Sequence, residues 1–571
     1  MQETHVEKEY YSSPLETPDT VSVNDGENGR DLQIHDSSLD HKGRVPLRAS
    51  TGSWKASFFI IAIEFSERLS YFGIAANMMT YMTTVIHQDL KTAANSVNIW
   101  TGVTTVTPLL GGFLADAYAG RYLMILLSAL LYVLATYLVA LATGGYKPCL
   151  ESFGADQFDD NHSEERKQKV SFFNWWNVSL CAGLFLGTTL IVYLQDGVGW
   201  GSAFLTLSIT MVVTVLVFIL GRPIYRYRTP QGSPLTPMFQ VLVAALVKRK
   251  LAVPSDPAFL HEVLKSEEKV QGRLLAHTNQ LRFLDKAAVI EYENGVASAK
   301  KLSPWRLAPV TQVEELKLVL KMVPVWLTSL IFGIGIIQTS TFFVKQAKEM
   351  DRRVFNRFEI PPASIYTLTA IGMMTSVALY DRLLLPYLRR ATGNERGINI
   401  LKRMGIGMVF LIIAMVLSAL VERQRLRAFH KGNVMSAFWL APQFLIIGIG
   451  DGFSLVGMQE YFYDQVPDSM RSLGMAFYLS VIGVGSFLSS FLITVVDYVT
   501  GKNGGKKWIG KDVNHSRLDH FYWLLAAISV LNICIFALIT KNYSYKKVEN
   551  SVCVGDAPSN EGTKDRNRFL N

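Results

Sequence analysis

The sequence predicts an all-α polytopic membrane protein. The chain has 571 residues, of which 49% are hydrophobic and 18% are charged. Its apolar residues gather in blocks of about twenty, the helix length that crosses the ~30 Å hydrocarbon core of a bilayer. Lipid cannot hydrogen-bond backbone groups, and the blocks are continuous instead of alternating with polar residues, so they are expected to be helices and not barrel strands.

Eleven apolar blocks can be counted along the chain. Their approximate limits are 54–86, 97–117, 122–143, 172–194, 201–220, 316–344, 361–384, 404–421, 435–459, 472–497 and 519–540. A long polar stretch separates the fifth block from the sixth, which indicates two transmembrane halves.

The remaining composition sets the domain boundaries. Residues 1–53 carry ten acidic and five basic residues and few aromatic ones, which predicts a disordered N-terminal tail. The N-terminal transmembrane half then spans 54–220, and the C-terminal half spans 313–545. Between them, the basic loop 221–312 is expected on the cytoplasmic side, where Lys and Arg concentrate. Residues 546–571 form a polar C-terminal tail.

Several function classes find no support in the sequence. The net charge of +9 comes from Lys and Arg between the apolar blocks, so no nucleic-acid partner is expected. The four cysteines lack CxxC spacing, the ten histidines lack paired ligand spacing, and there is no phosphate-binding loop. No nucleophile–base pair stands out either. We therefore expect neither an enzyme nor a cofactor or metal site, and the energy for any transport must come from an ion gradient.

Three charges interrupt the first apolar block, in the sequence EFSER. Glu64 lies ten residues past Trp54, about 15 Å along a helix. Spacings of three and four residues place Glu64, Glu67 and Arg68 on one helical face. Charges at that depth are costly, so they are expected to face a water-filled cavity or to pair with one another. The cluster is either a static ion pair between helices or a switch that gains and loses a proton.

A weak internal repeat suggests a pair of gates. GGFLADAYAGRYL at 111–123 has a counterpart within 378–407, so that Asp116 and Arg121 are echoed by Asp381 and Arg382. Acid and base at helix ends can close a gate by pairing with each other and with helix dipoles. The alternative is that these charges only cap helices and fix their orientation.

These motifs resemble known transporter families. GGFLADAYAGRY is similar to the loop signature of the major facilitator superfamily, and FFNWWNVSLCAG (172–183) resembles the fifth-helix signature of proton-coupled oligopeptide transporters. Further stretches resemble the plant nitrate and peptide transporter family: GGYKPCLESFGADQFD (144–159), LRFLDKAAV (281–289), VTQVEELK (310–317), MQEYFYDQVPDSMRSLG (458–474) and LDHFYWLLA (518–526). The resemblance implies two six-helix halves and a proton-coupled symporter that works by alternating access.

The same resemblance assigns roles to the buried charges. Glu64, Glu67 and Arg68 match the ExxER motif that the family associates with proton coupling. The family pairs this cluster with a lysine of the fourth helix, and the matching residue is Lys147. Read without the family, Lys147 could also be a cytoplasmic loop lysine.

The resemblance gives less guidance on the substrate. Asp451 stands where peptide-transporting relatives carry a glutamate that binds the peptide amino group, and Glu460 is a second acid nearby. Ile336 stands where the best known nitrate-transporting relative has a nitrate-contacting histidine. The remaining pocket candidates are Gln338, Thr341, Trp175 and Tyr71. We expect nitrate or another small anion, with di- or tripeptides, plant hormones or organic anions as alternatives.

The third apolar block raises a topological conflict. Arg121 before it and Lys147 after it both favour the cytoplasmic side, yet 122–143 is long enough for only one crossing. Compared with relatives, the block resembles the first half of helix three joined near Leu134 and Ala135 to the latter part of helix four, with some tens of residues absent. We expect a shortened form that lacks one span and transports poorly. The alternative is a re-entrant pair of half-helices. The membrane itself, plasma or vacuolar, is left open.

Overall fold

The computed structural model describes residues 34, 38–134, 149–159, 162–228, 235–254, 260–261, 277–290, 292–293, 296–297, 303–354, 358–392, 398–466, 471–502, 507–510, 512–541 and 543. Its α-helices are α1 Ser53–Ala75, α2 Met78–Thr84, α3 Leu90–Leu114, α4 Arg121–Leu134, α5 Ser163–Leu186, α6 Val192–Gly197, α7 Trp200–Leu220, α8 Leu235–Val247, α9 Val310–Ile336, α10 Phe342–Lys348, α11 Thr367–Leu379, α12 Leu385–Thr392, α13 Ile400–His430, α14 Ala441–Gln465, α15 Arg471–Gly501 and α16 Leu518–Lys541. Residues 149–155 are also helical.

Short elements connect these helices. The π-helical turns are Ala115–Ala119, Gly187–Ile191 and Tyr380–Leu384, and the 3-10 turns are Asp285–Ala288, Ile337–Thr339, Pro362–Tyr366, Ala437–Leu440 and Val513–His515. Two small antiparallel hairpins pair β1 Tyr292–Glu293 with β2 Val296–Ala297, and β3 Arg353–Val354 with β4 Phe358–Glu359. The fold is therefore all-α, with strands only in loops of the described chain.

Eight helical stretches of the described chain are long and apolar enough to cross a membrane. They are Val178–Gly197, Trp200–Leu220, Val310–Lys348, Pro362–Leu388, Ile400–His430, Ala437–Phe462, Gly474–Gly501 and Leu518–Lys541. Each coincides with one of the last eight predicted blocks, which confirms a polytopic helical membrane protein. The first two blocks correspond to α1–α2 and α3, which are helical but more polar. The third is described only as far as Leu134.

Polar residues at the helix starts explain several boundaries. Asp89 precedes α3, and its side chain accepts a hydrogen bond from the Thr92 backbone N–H at 3.3 Å. Asn399 caps α13 in the same way through the Leu401 N–H at 3.3 Å. Such caps satisfy N–H groups that have no partner within the helix.

The two halves contact each other at the end of the bundle opposite the central loop. Helix α3 packs along α15, and Lys91 Nζ lies 2.6 Å from Asp497 Oδ2 at the outer end of this pair. The Thr188 and Thr367 hydroxyls hydrogen-bond at 2.8 Å between α5–α6 and α11. These contacts close the end of the bundle that lies opposite the central loop.

Part of the expected N-terminal tail is ordered. Leu39 exchanges two 2.8 Å backbone hydrogen bonds with Tyr227, and Arg48 pairs with Asp159 and Glu165 at 3.0 Å each. This corrects the tail boundary at residue 53, because residues 38–52 form contacts with the folded chain. The segment is acidic as a whole, but basic residues lie near its end. One of them, Arg48, pairs with the buried acids Asp159 and Glu165.

The same contact involves a fully buried arginine at the start of the central loop. Arg226 Nη1 lies 2.7 Å from Glu165 Oε2. Gly52, at φ +68°, leaves the space for it, since a Cβ there would lie 2.1 Å from Arg226 Nε. Burial alone would raise the pKa of Glu165, but the hydrogen bond and charge of Arg226 hold it below its ordinary value. This contribution to stability is present near neutral pH and is lost in acid as Glu165 gains a proton.

The two described ends of the third block's region lie close together. Arg121 begins α4, and Asp156 follows the helical residues 149–155, and their side chains form an ion pair. The count of eleven spans stays a prediction. The predicted join lies at the edge of this region, since residues 135–148, including Ala135 and Lys147, are outside the described residues.

Two sequence motifs, LRFLDKAAV and VTQVEELK, meet at the start of α9. Lys317 of VTQVEELK lies 2.6 Å from Asp285 of LRFLDKAAV and 2.7 Å from Glu314. His277 Nε2 lies 3.1 Å from the other Asp285 oxygen. His277, Asp285 and Glu314 are residue types that could hold a metal and lie within 4.8 Å of one another, but the Lys317 ammonium already contacts both carboxylates. These buried ion pairs connect the central loop to the start of α9, and we call Lys317, Asp285 and Glu314 the ion lock.

Candidate functional site

The ExxER residues form one buried ion cluster in the middle of α1. Glu64 and Glu67 are both 0% exposed. Arg68 Nε donates to Glu64 Oε1 at 2.6 Å and lies 3.3 Å from Glu67 Oε2. The expected shared face is therefore present. Within these three side chains one guanidinium serves two carboxylates, so the three together carry a net charge of −1 when both acids are ionised.

A glycine of the fifth-helix signature allows a neighbouring helix to approach this cluster. A Cβ on Gly183 of α5 would lie 2.6 Å from Arg68 Cβ and 2.8 Å from the Phe65 carbonyl oxygen. Helices α1 and α5 can therefore pack closely only because this position has no side chain. The FFNWWNVSLCAG motif thus allows α5 to pack closely against the part of α1 that carries the charged cluster.

Glu151 is a further acid near the cluster, and we did not single it out from the sequence. It is partly buried and lies within electrostatic range of Arg68 and Glu64. Leu150 and Phe153, at 0% and 2% exposed, anchor its helical segment in the core of the N-terminal half. The sequence does contain a signal for Glu151, since it lies four residues after Lys147 and residues at that spacing share a helical face.

The predicted acid of the C-terminal half is buried without a hydrogen-bonding partner. Asp451 of α14 is 5% exposed, and its Oδ1 makes no hydrogen bond within the described structure. Tyr366 and Tyr478 lie within electrostatic range of it. Tyr71 of α1, 7% exposed, stacks on Trp100 with ring centroids 5.6 Å apart and also lies in range of Tyr366. The tyrosines near Asp451, Tyr366 and Tyr478, thus both belong to the C-terminal half.

Another pocket candidate, Gln338, lies in a buried polar contact between the halves, whereas Thr341 makes only a local hydrogen bond. Gln338 Nε2 donates to Ser489 Oγ at 3.3 Å, and Asn98 Nδ2 donates to the same oxygen at 3.3 Å. Thr341 is 1% exposed and donates to the Ile337 carbonyl at 3.0 Å. Asn98, which sequence reasoning missed, joins α3 to this network.

The last two pocket candidates lie elsewhere. Trp175 is 55% exposed, whereas Trp176 is 5% exposed. Successive residues on a helix point about 100° apart, so only Trp176 faces the interior. Trp175 instead borders an apolar surface pocket of about 420 Å³ with Phe58 and Val213, which corrects its expected place in the substrate pocket. Glu460 is half-buried and lies 3.5 Å from Arg403 Nη1.

The first predicted gate forms a larger ion network than expected. Arg121 Nε lies 3.0 Å from Asp116 Oδ1, and Arg121 also pairs with Asp156, which lies 3.3 Å from Arg228 Nε. All four residues belong to the N-terminal half or its junction with the central loop.

The second predicted gate is only partly described. Arg382 is exposed, and the Asp381 side chain is outside what the structure describes. The backbone nevertheless repeats, because Asp116 lies in the π turn Ala115–Ala119 and Asp381 lies in the π turn Tyr380–Leu384.

Helices in two halves with buried acid–base residues between them define a polytopic membrane transporter. The chain belongs to the POT family: the family model "PTR2: POT family" matches residues 72–509. Two Arabidopsis thaliana proteins are similar to this chain over more than nine tenths of its length. Protein NRT1/PTR FAMILY 5.6 is 54% identical over 553 residues (91% of this chain, 96% of the relative), and Protein NRT1/PTR FAMILY 5.7 is 51% identical over 582 residues (94% and 96%). The predicted plant nitrate and peptide transporter family is confirmed.

Solved structures agree with the fold. An auto-inhibited POT family peptide transporter matches with a TM-score of 0.65 at 20% identity, covering 87% of this chain and 98% of that one. The POT family transporter PepTSo matches with a TM-score of 0.64 at 20% identity, covering 85% and 97%. This likeness shows that the chain shares the fold of these solved transporters.

The relatives contain residues that this chain lacks. The alignment with the first relative is 553 positions long and includes 91% of this chain, which is about 520 of its 571 residues. About 30 aligned positions of that relative therefore have no counterpart in this chain. The alignment with the second relative is 582 positions long and includes 94% of this chain, about 537 residues, so about 45 aligned positions have no counterpart in this chain.

Proposed function

We propose that this protein is a proton-coupled symporter that works by alternating access, and the observation that carries this proposal is the Glu64–Arg68–Glu67 cluster. Arg68 can neutralise one of the two buried carboxylates. The second negative charge then requires a proton or the ammonium of Lys147, which lies outside the described residues. Because an uncompensated charge at this depth is costly, exchange between these two partners can favour one arrangement of the halves over the other.

The ion pairs at helix ends fit this mechanism as gates. With the central loop in the cytoplasm, the contacts between the halves lie at the external end, which supports an inward-facing state. The Asp116–Arg121 network at the opposite end, and its repeat at Asp381 and Arg382, would rearrange when that end closes. The membrane is proposed to be the plasma or the vacuolar membrane.

The substrate is proposed from the charge around Asp451. The sequence favoured nitrate or another small anion, because Asp451 is shorter than the usual glutamate. The structure instead favours the di- or tripeptide alternative, since a buried carboxylate with an unpartnered oxygen attracts an ammonium group and repels an anion. Plant hormones and other organic anions are the remaining class.

We expect dipeptides to outcompete nitrate in a competition screen. Nitrate, dialanine and plant hormones would each be added as competitors against labelled dialanine in oocytes expressing the protein. Asp451→Ala is expected to lower saturable dialanine uptake at least about tenfold, the effect of losing one charge-assisted contact. Dominant competition by nitrate, with dialanine uptake unchanged in Asp451→Ala, would contradict the proposal.

A transport-impaired shortened form is the second candidate function. The missing aligned positions and the Arg121–Asp156 contact both favour a chain in which helices three and four are cut short. A pair of half-helices that returns to its own side preserves the orientation of the later spans. It also removes part of the wall of the N-terminal half, so slow transport is expected.

This candidate predicts a specific topology. Protease-cleavable tags near Ser255 and at the C-terminus should both be accessible from the cytosolic face of sealed vesicles, because the block around 122–143 makes no net crossing. Inserting the corresponding segment of the 5.6 relative between Leu134 and Ala135 should leave both tags cytosolic and raise uptake. Tags on opposite faces, or an insertion that does not change uptake, would refute it.

A further inference from the structure

Helix α8 of the central loop carries an apolar face that lies exposed on the described structure. The helix spans Leu235–Val247. The exposed residues of this face follow one another at spacings of four, three and one, so they lie on one side of the helix. They are Phe239 (57%), Val243 (37%), Leu246 (67%) and Val247 (56%), and we call them the α8 stripe. Such a group of exposed apolar side chains indicates a contact with something outside the described chain.

The opposite side of α8 is packed into the protein, so the stripe faces outward. Val241 and Ala244 are both 0% exposed and belong to the same hydrophobic core as Val313 of α9. The helix also packs against the turn Asp285–Ala288. The ion lock joins this turn to the start of α9 through Lys317. The position of the stripe is therefore fixed relative to a transmembrane helix.

Two lysines hold the C-terminal end of α8 in place. Lys248, which is 2% exposed, donates from Nζ to the Val289 carbonyl at 2.6 Å. Lys286 Nζ donates to the Arg249 carbonyl at 2.5 Å. The Arg249 side chain itself is exposed. The end of α8 therefore presents a guanidinium directly after the stripe.

The exposed charges around the stripe all have the same sign. The described residues 235–254, 277–290 and 303–310 contain one acid, Asp285, which is buried in the ion lock. The exposed charged residues of the same ranges are Arg249, Lys250, Arg282 and Arg306. An exposed apolar face with only basic neighbours is complementary to an anionic membrane surface.

Two exposed aromatic residues lie in the segments that accompany α8. Phe283 is 57% exposed and Trp305 is 45% exposed. A 3.1 Å hydrogen bond from the Ala308 N–H to the Ala287 carbonyl joins the two segments that carry them. Aromatic side chains are favoured at the boundary between lipid and water. They therefore support the same kind of contact as the stripe and the cations.

The length of α8 suits a helix that lies along a membrane surface. Its 13 residues extend about 20 Å, less than the ~30 Å of hydrocarbon that a spanning helix must cross. An interfacial helix instead directs its apolar side toward the acyl chains and keeps its basic residues at the headgroups. A cytosolic protein could also cover an apolar stripe, but the surplus of exposed cations beside a transmembrane bundle favours lipid.

We infer that the α8 stripe and its neighbouring cations form a docking surface for anionic lipids of the adjacent leaflet, which is the cytoplasmic leaflet in the expected topology. This inference goes beyond the proposed transport and does not depend on the substrate. The stripe contacts acyl chains, while Arg249 and Lys250 contact the anionic headgroups. Because the ion lock joins the neighbouring turn to α9, the docked helix anchors the start of that span.

Photo-crosslinking from lipid tests where the stripe lies. The full-length wild-type protein would be placed in nanodiscs of phosphatidylcholine and phosphatidylserine that contain a phosphatidylcholine with a diazirine on its acyl chain. Mass spectrometry of the irradiated protein should find the label on the α8 stripe. Leu531 and Leu538 of α16, at 64% and 72% exposed, are the positive control. A stripe that stays unlabelled while α16 is labelled would overturn the inference and indicate a protein partner instead.

Removal of charge tests the preference for anionic lipid. The wild type is expected to unfold at least about 2 °C higher in nanodiscs with phosphatidylserine than in phosphatidylcholine alone. Arg249→Gln combined with Lys250→Gln should lose this rise. The matched control combines Lys42→Gln with Lys431→Gln, two exposed cations outside these segments, and should keep the rise.

Detergent without anionic lipid provides the folding control. The wild type and both double variants should unfold at the same temperature there, because no anionic surface is present to bind the cations. An equal rise with phosphatidylserine in Arg249→Gln/Lys250→Gln and in the wild type would overturn the inference. A wild type that shows no rise with phosphatidylserine would overturn it as well.

Discussion

Glu67→Gln is expected to abolish the pH-driven accumulation of substrate. Glu67 is fully buried, and its carboxylate lies 3.3 Å from the Arg68 guanidinium. Glutamine keeps the size of the side chain but cannot exchange a proton, so one of the two acids that compete for Arg68 is lost. Accumulation under an acid-outside gradient should fall at least about tenfold, which corresponds to about 1.4 kcal/mol of lost coupling. Initial uptake at acidic and neutral pH measures the effect.

Exchange of labelled for unlabelled substrate, which needs no net proton movement, serves as the control. It should persist in Glu67→Gln, which shows that the variant is folded and binds substrate. Glu64→Gln should weaken coupling as well, because Glu64 holds the shorter contact with Arg68, at 2.6 Å. Unchanged pH-driven accumulation in both variants would show that this motif does not carry the proton.

Lys317→Met is expected to destabilise the protein by about 3–5 kcal/mol, the usual effect of removing one partner from a buried ion pair. Lys317 is 0% exposed and contacts Asp285 and Glu314, which are 1% and 3% exposed. Without the ammonium, two buried carboxylates face each other. The unfolding temperature of the detergent-solubilised protein, followed by tryptophan fluorescence, measures the loss.

A charge-compensated variant separates this effect from simple loss of packing. Adding Asp285→Asn to Lys317→Met removes one of the two buried negative charges that Lys317 no longer neutralises, and it should recover part of the stability. Lys250→Met, at an exposed position after α8, should leave the unfolding temperature nearly unchanged. A Lys317→Met protein as stable as Lys250→Met would show that the ion lock contributes little.

The helical architecture was predictable because the bilayer imposes one simple rule on the chain. Blocks of about twenty apolar residues must be helices, and the last eight blocks are long apolar helices in the structure. The shared face of Glu64 and Arg68 was equally predictable, since helix periodicity alone fixes it.

Other features depend on contacts between distant residues, which periodicity does not encode. Arg48 leaves the expected tail because Glu165, more than a hundred residues away, pairs with it. Trp175 and Trp176 look alike in the sequence, but packing selects only Trp176 for the interior. Glu151 was missed because nothing in its local sequence links it to Arg68, whose charge acts on it from another helix. The closeness of Asp156 to the start of α4 became evident only from its ion pair with Arg121.

Proton movement into sealed proteoliposomes tests the symport mechanism most directly. The vesicles would contain a pH-sensitive dye, and dialanine would be added outside without an imposed pH gradient, with nitrate in a parallel sample. The account predicts that dialanine acidifies the lumen of vesicles with the wild-type protein, and that Glu67→Gln prevents this acidification. Uptake of labelled dialanine by the wild type without any change in luminal pH would contradict proton coupling.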